Sequence, residues 1–83
     1  MAQIGVQILN DTSDNWNVHV FDRFAQGRRE VRDSPFALAV NETSPQFGIN
    51  ADADGMGKLE WRADGGPSLD NVEVRDGTVV TMR

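Results

Sequence analysis

Ile4-Gly5-Val6-Gln7-Ile8 decides the fold: a large aliphatic side chain stands at every second residue, with small or polar ones between. Successive side chains of an extended chain point to opposite faces, so this beat sets one face against a core and the other toward water. The beat returns in Trp16-Asn17-Val18-His19-Val20 and in Phe36-Ala37-Leu38-Ala39-Val40. It returns again where Phe47 and Ile49 flank Gly48, and where Leu59 and Trp61 flank Glu60. No long window has helical spacing, and the one candidate, Phe24 to Arg32, is interrupted by Gly27. Polar or Gly/Pro-rich breaks at 10–15, 33–35, 41–45, 52–57 and 63–68 separate the segments. The pattern predicts an all-β fold: a compact antiparallel β-sandwich or small barrel of seven to eight short strands, Greek-key-like.

Turn chemistry refines this. Arg75-Asp76-Gly77-Thr78 separates Val72 and Val74 from Val79 and Val80, and Asp-Gly favours the type I′ hairpin turn. That register sets Val74 opposite Val79 and Val72 opposite Thr81. Val80 and Met82 then point the other way, toward a second layer, a partner or solvent. An internal duplication is also suggested. Asn10-Asp11-Thr12-Ser13 with Trp16 and Val18 lines up with Asn41-Glu42-Thr43-Ser44 with Phe47 and Ile49, and Gly27 to Arg32 lines up with Gly57 to Arg62. A true repeat implies a pseudo-twofold. Paired Greek keys resemble the βγ-crystallins, and Phe21 to Gly27 echoes their aromatic-plus-glycine corner. The spacing differs, and no stretch carries their calcium signature, so the family is not assigned.

The 83 residues read as a single domain, 1–83, with no cysteine, so packing and backbone pairing must stabilise it. Eight Lys and Arg against 13 Asp and Glu give a net charge of −5, which argues against a general nucleic-acid binder. The longest apolar run, Phe36 to Val40, is far too short to span a membrane as a helix. The first residues lack the pattern of a signal peptide, and the absence of cysteine suits the cytoplasm.

Three constellations can carry chemistry. Asn50-Ala51-Asp52-Ala53-Asp54-Gly55 places oxygen ligands at positions 1, 3 and 5 and a glycine at 6, the opening of an EF-hand-type calcium loop. Position 12 is Trp61, where a bidentate Glu belongs, and Glu60 stands one residue early. Asn50, Asp52, Asp54 and Glu60 are the candidate calcium ligands, and a hairpin tip is the competing explanation. Second, the loops 10–15 and 41–45 supply Asn10, Asp11, Asp14, Asn41 and Glu42 as candidate contacts for a partner, a sugar or another polyol. Both loops also spell glycosylation sequons. Third, Arg23, Arg28, Arg29 and Arg32 form a basic segment in an acidic chain, joined by Arg62 and Lys58 if their strand lies alongside. Arginine forks suit carboxylates, so this is a docking face for an acidic partner, or else a charged edge strand that blocks aggregation.

Catalytic signals are poor. His19 is the only histidine and faces away from Trp16, Val18 and Val20; no nucleophile elbow or phosphate loop exists. Trp16 and Trp61 keep step with aliphatic neighbours and read as core anchors. The sequence therefore predicts no enzyme and no cofactor apart from the calcium alternative. Its leading reading is a non-catalytic module that docks a protein through its loops or an arginine-bearing edge strand. A calcium-dependent or carbohydrate-binding domain and a small acidic inhibitor or immunity-type protein are the alternatives. Val80 and Met82 add the expectation of a homodimer.

Overall fold

Alternation does what the sequence asks of it. In the computed structural model, which describes residues 2–24 and 28–83, strand β1 (Ala2–Asn10) buries Ile4, Val6 and Ile8, with the residues between them more exposed. Strands β2 (Trp16–Asp22), β3 (Arg29–Glu30), β4 (Phe36–Leu38), β5 (Phe47–Ala51), β6 (Gly57–Ala63), β7 (Ser68–Val74) and β8 (Val79–Met82) follow. No helix occurs among the described residues. The eight strands form one mixed sheet in the order β3-β2-β6-β5-β1-β8, with β4 also on β2 and β7 also on β6, and the sheet does not close on itself.

Strands β1, β2 and β6 do the organising, because two successive segments share one edge of each. Along β1, β5 pairs with Ala2 to Val6, after which residues 41–44 take over through Ser44 N to Ile8 O and Asn10 N to Glu42 O. Along β2, β4 pairs with Trp16 to Val18 and β3 with Phe21 and Asp22. Along β6, β5 meets Gly57 and β2 pairs with Leu59 to Ala63, while β7 occupies the opposite edge. Inside lie Val18, Val20, Phe36, Phe47, Ile49, Leu59, Trp61 and Met82, with the Phe36 and Phe47 rings stacked at 5.4 Å. Trp61 is buried as expected, although its indole N–H has no hydrogen-bond partner among the described residues. Trp16 is only half-buried and packs against the core from the sheet's end.

The final strands depart from expectation. β7 and β8 are not a hairpin: β7 pairs with β6, and β8 runs parallel to β1, with Gln7 opposite Val79 and Asn10 opposite Met82. The antiparallel expectation therefore fails for this pair. A type I′ turn needs two residues at positive φ, but within 75–78 only Gly77 (φ 85°) has one. The turn instead docks on β1: Gly5 N donates to Asp76 Oδ1 (2.8 Å), Gly77 N to Gly5 O (2.7 Å) and Gln7 N to Thr78 O (3.0 Å). It thereby hands the chain across to the free edge of β1, which buries Val80 and Met82 within this chain and leaves Val79 exposed. The cover they require is thus internal, so they no longer argue for a second copy.

Of the two segment pairs aligned as a repeat, the second occupies unlike places, while in the first both loops lead into a strand that opens on an aromatic residue, Trp16 or Phe47. Residues 57–63 form a central strand, whereas 29–30 form a two-residue exposed edge. Gly27, which anchored that alignment and ended the crystallin-like corner, lies outside the described residues.

Buried Asn10 ends β1 and makes four hydrogen bonds: Nδ2 to Asp14 O (2.8 Å) and Leu38 O (3.0 Å), and Oδ1 from Thr12 N (3.1 Å) and Thr12 Oγ1 (2.6 Å). Asn10→Ala strands these groups where little water reaches, so it should cost about 2–3 kcal/mol in urea unfolding. A loss below about 0.5 kcal/mol would show that the knot does not hold the loops.

Candidate functional site

Alternation along β2 sends Val18 and Val20 inward and presents Asn17, His19 and Phe21 on the outer face. Pairing then sets His19 beside Arg62 and Phe21 beside Glu60 on β6, with Glu30 of β3 across from Phe21. Two charged clusters result.

The first is centred on Glu60. Its side chain is only 7% exposed because arginines cover it. Arg28 binds it through both forks (Nε to Oε1 2.8 Å, Nη2 to Oε2 3.0 Å), with Arg23 Nη1 at 3.4 Å and Arg62 Nη2 at 3.5 Å. The Arg28 guanidinium lies 3.8 Å above the Phe21 ring centre, Arg23 also reaches Asp70, and Lys58 Nζ stands 5.7 Å from the Phe24 ring centre. A bidentate guanidinium stacked on an aromatic face is rigid and largely self-satisfied.

The second is centred on His19. Its Nδ1 is 2.7 Å from Glu30 Oε2 and its Nε2 is 3.2 Å from Asp64 Oδ1. Glu30 Oε2 also accepts from Ser34 Oγ (2.7 Å), which in turn accepts from Val20 N (2.9 Å). The hydrogen bond to Glu30, helped by Asp64, raises the imidazole pKa above its ordinary 6.5. His19 and then Ser34 lower that of Glu30, and Asn17 and then His19 lower that of Asp64. Both ring nitrogens face carboxylates, and Ser34 bonds to Glu30, so this is not a nucleophile–base pair.

The basic segment therefore divides. Arg23 and Arg28 are spent on Glu60, and Arg62 joins them through the β2–β6 pairing. Arg29 and Arg32 are exposed, their side chains have no ion pair or hydrogen bond among the described residues, and they line a polar hollow of about 350 Å³ with Gln3, Asp22, Glu30 and Asn50. β3 is the edge strand that the sequence suggested.

The calcium candidates are scattered. Asn50 donates from N and Nδ2 to Asp22 Oδ2 (2.9 and 3.0 Å), and Glu60 belongs to the arginines. Asp52 Oδ1 accepts from Asp54 N and Met56 N, closing the β5–β6 hairpin as the competing explanation requires. Asp54 is exposed beside it. Among the described residues, no three His, Cys, Asp or Glu side chains form a group able to hold a metal ion.

The loops 10–15 and 41–45 do come together, through Asn10 N to Glu42 O and Asn41 N to Asn10 O. Asn10 itself is an internal knot, so its sequon offers no accessible amide. Asn41 is exposed at φ 65°, Asp11 pairs loosely with Arg83 (3.9 Å), and Asp14 serves Asn10 through its carbonyl. Beside the loops, a shallow groove of about 420 Å³ runs past Trp16, Leu38 and Glu42.

Sequence reasoning missed the role of Glu60 and the Glu30–His19–Asp64 cluster. The usable signal was the alternation, which sets His19 and Phe21 on one face with Lys58, Glu60 and Arg62, once β2 and β6 are known to be neighbours. No protein-family model, curated protein or solved structure matches the chain. No helix among the described residues is long and apolar enough to cross a membrane.

Two measurements check these clusters. A raised histidine pKa adds stability that is full below its unfolded value and fades as pH rises through the folded value. A lowered Glu30 pKa adds stability that is lost as pH falls through its folded value, so the cluster is strongest between the two. The stability gap between wild type and His19→Gln should thus be larger at about pH 6 than at about pH 8.5, and an equal gap would deny the linkage. Glu60→Ala leaves Arg28 on Phe21 without its counter-ion and should cost about 2–3 kcal/mol in urea unfolding, discounted for the partial exposure of the arginines. A neutral result would show that the cluster is decorative.

Proposed function

We propose that this chain is a non-catalytic binding module that docks another protein through the arginine-bearing edge strand β3, with the partner presenting carboxylates. One observation carries this reading: Arg29 on the edge strand β3 and Arg32 in the turn that follows it stand free of ion pairs beside a polar hollow, while their neighbours Arg23 and Arg28 are held by Glu60. In a chain of net charge −5, Arg29 and Arg32 offer two guanidinium groups without an ion pair among the described residues, on a hollow whose acids, Asp22 and Glu30, are already hydrogen-bonded. Guanidinium forks left open in this way suit the carboxylates of a partner. The backing is stiff, because Glu30 of the same strand is tied to His19 and Ser34. Edge protection alone asks only for charge and not for a hollow behind it.

Affinity capture from the source cell's lysate, with matched variants, tests this. A protein retained by wild type should be lost with R29E/R32E, weakened at least about tenfold in direct titration, and kept by the control R75E/R83E. Equal retention by R29E/R32E would overturn the reading.

A further inference from the structure

A separate feature lies at the opposite end of the sheet, on β8. The outer strands are β3, β4, β7 and β8, and the first three each carry a feature that discourages pairing with another chain. β3 is two residues long and charged, and β4 is three residues long behind Pro35. β7 carries Asp70 and Glu73, with Asn71 at φ 57° and a register shift against β6. Short, charged or irregular edges of this kind resist an added strand. β8 differs in composition: Val79-Val80-Thr81-Met82 is uncharged, regular and largely β-branched.

Its open edge follows from its pairing with β1. Gln7 N donates to Thr78 O and Asp11 N to Met82 O, so the even-numbered residues bond to β1. Backbone groups alternate sides along a strand, which turns the N–H and C=O of Val79 and Thr81 away from β1. Those groups have no backbone partner among the described residues, and the Val79 side chain is 45% exposed. The two ends of the strand differ in charge. Arg83 follows it, is highly exposed and has only a 3.9 Å contact with Asp11. Asp76 precedes it and uses Oδ1 on Gly5 N, which leaves Oδ2 open, while Arg75 is drawn away to Asp54 O (3.3 Å).

We propose that β8 pairs antiparallel with the β8 of a second copy of this chain, across a twofold axis beside Val80. Val79 of each copy then lies opposite Thr81 of the other, and each such pair exchanges both N–H···O bonds. The same register brings Arg83 of each copy against the Asp76–Gly77 turn of the other. A parallel arrangement would set Arg83 beside Arg83 and Asp76 beside Asp76, so the charge pattern selects a second copy running the opposite way. An antiparallel twofold uses the same patch on both copies, closes both open edges and stops at a dimer. Only a short edge is shared and each copy carries a net charge of −5, so the dimer is weak. The pairing leaves β3 uncovered, and either surface can fail without the other.

Sedimentation of the full chain across about 0.02–2 mM, with intermolecular NOEs in a mixture of isotope-labelled and unlabelled chain, tests this. A monomer–dimer equilibrium with Kd about 0.1–1 mM is expected, with NOEs between Val79 of one copy and Thr81 of the other. Thr81→Pro removes an outward N–H without touching the bonds to β1, and Val79→Lys sets a cation diagonally beside Arg83 of the other copy. Each variant, checked for a native spectrum, should weaken dimerisation at least about tenfold; if Thr81→Pro fails to fold, the exposed substitution Val79→Lys decides. Three results overturn the proposal: a monomer at about 2 mM, association that grows beyond a dimer, or a dimer unchanged in the folded variants.

Discussion

Every backbone N–H and C=O removed from water needs a partner, and that rule governs this small sheet more than any single apolar contact. Where two short segments share an edge of one long strand, the ladder is broken between them. A polar side chain closes each break. Ser44 Oγ accepts from Ile8 N where β5 ends along β1, and Asn10 knots the end of β1 to the loops. Asp22 Oδ2 accepts from Asn50 N where β2 and β5 meet beside β6, and Ser34 Oγ accepts from Val20 N where β3 gives way to β4. Asn10, Asp22 and Ser44 are among the few buried polar residues, and each sits at a seam. Short strands and buried polar stitches are therefore two aspects of one solution.

The outer face follows a different logic. It lies over the same strands, yet its order comes from charge. Glu60 gathers arginines from three parts of the chain, while His19 gathers carboxylates from the edge strand and the β6–β7 turn. The two clusters stiffen β3 without covering Arg29 and Arg32, and the pinned loops leave a groove at the other end of the same edge. A stiff scaffold with unspent polar groups at its margin is the usual setting for recognition.

The all-β class was legible because a two-residue beat allows little else, and the loops 10–15 and 41–45 were legible from their composition. The last strands were not. Val72, Val74, Val79 and Val80 alternate equally well in a hairpin or in a crossover, and Asp-Gly supports more than one turn. What separated the two was the free edge of β1 at Gly5 and Gln7, which no local pattern reveals. Similarly, Glu60 could be read as a metal ligand or an arginine partner until β6 was placed beside β2.

The sequence by itself determined which residues of β1, β2, β5 and β6 turn inward and where the chain breaks, because side-chain alternation is a property of the extended backbone alone. Tertiary structure alone decided which strands adjoin, hence that β8 runs parallel to β1, that Arg28 is spent while Arg29 is not, and that Trp16 packs against Gly66. Those outcomes depend on distances between residues far apart in the chain, and periodicity carries no information about them.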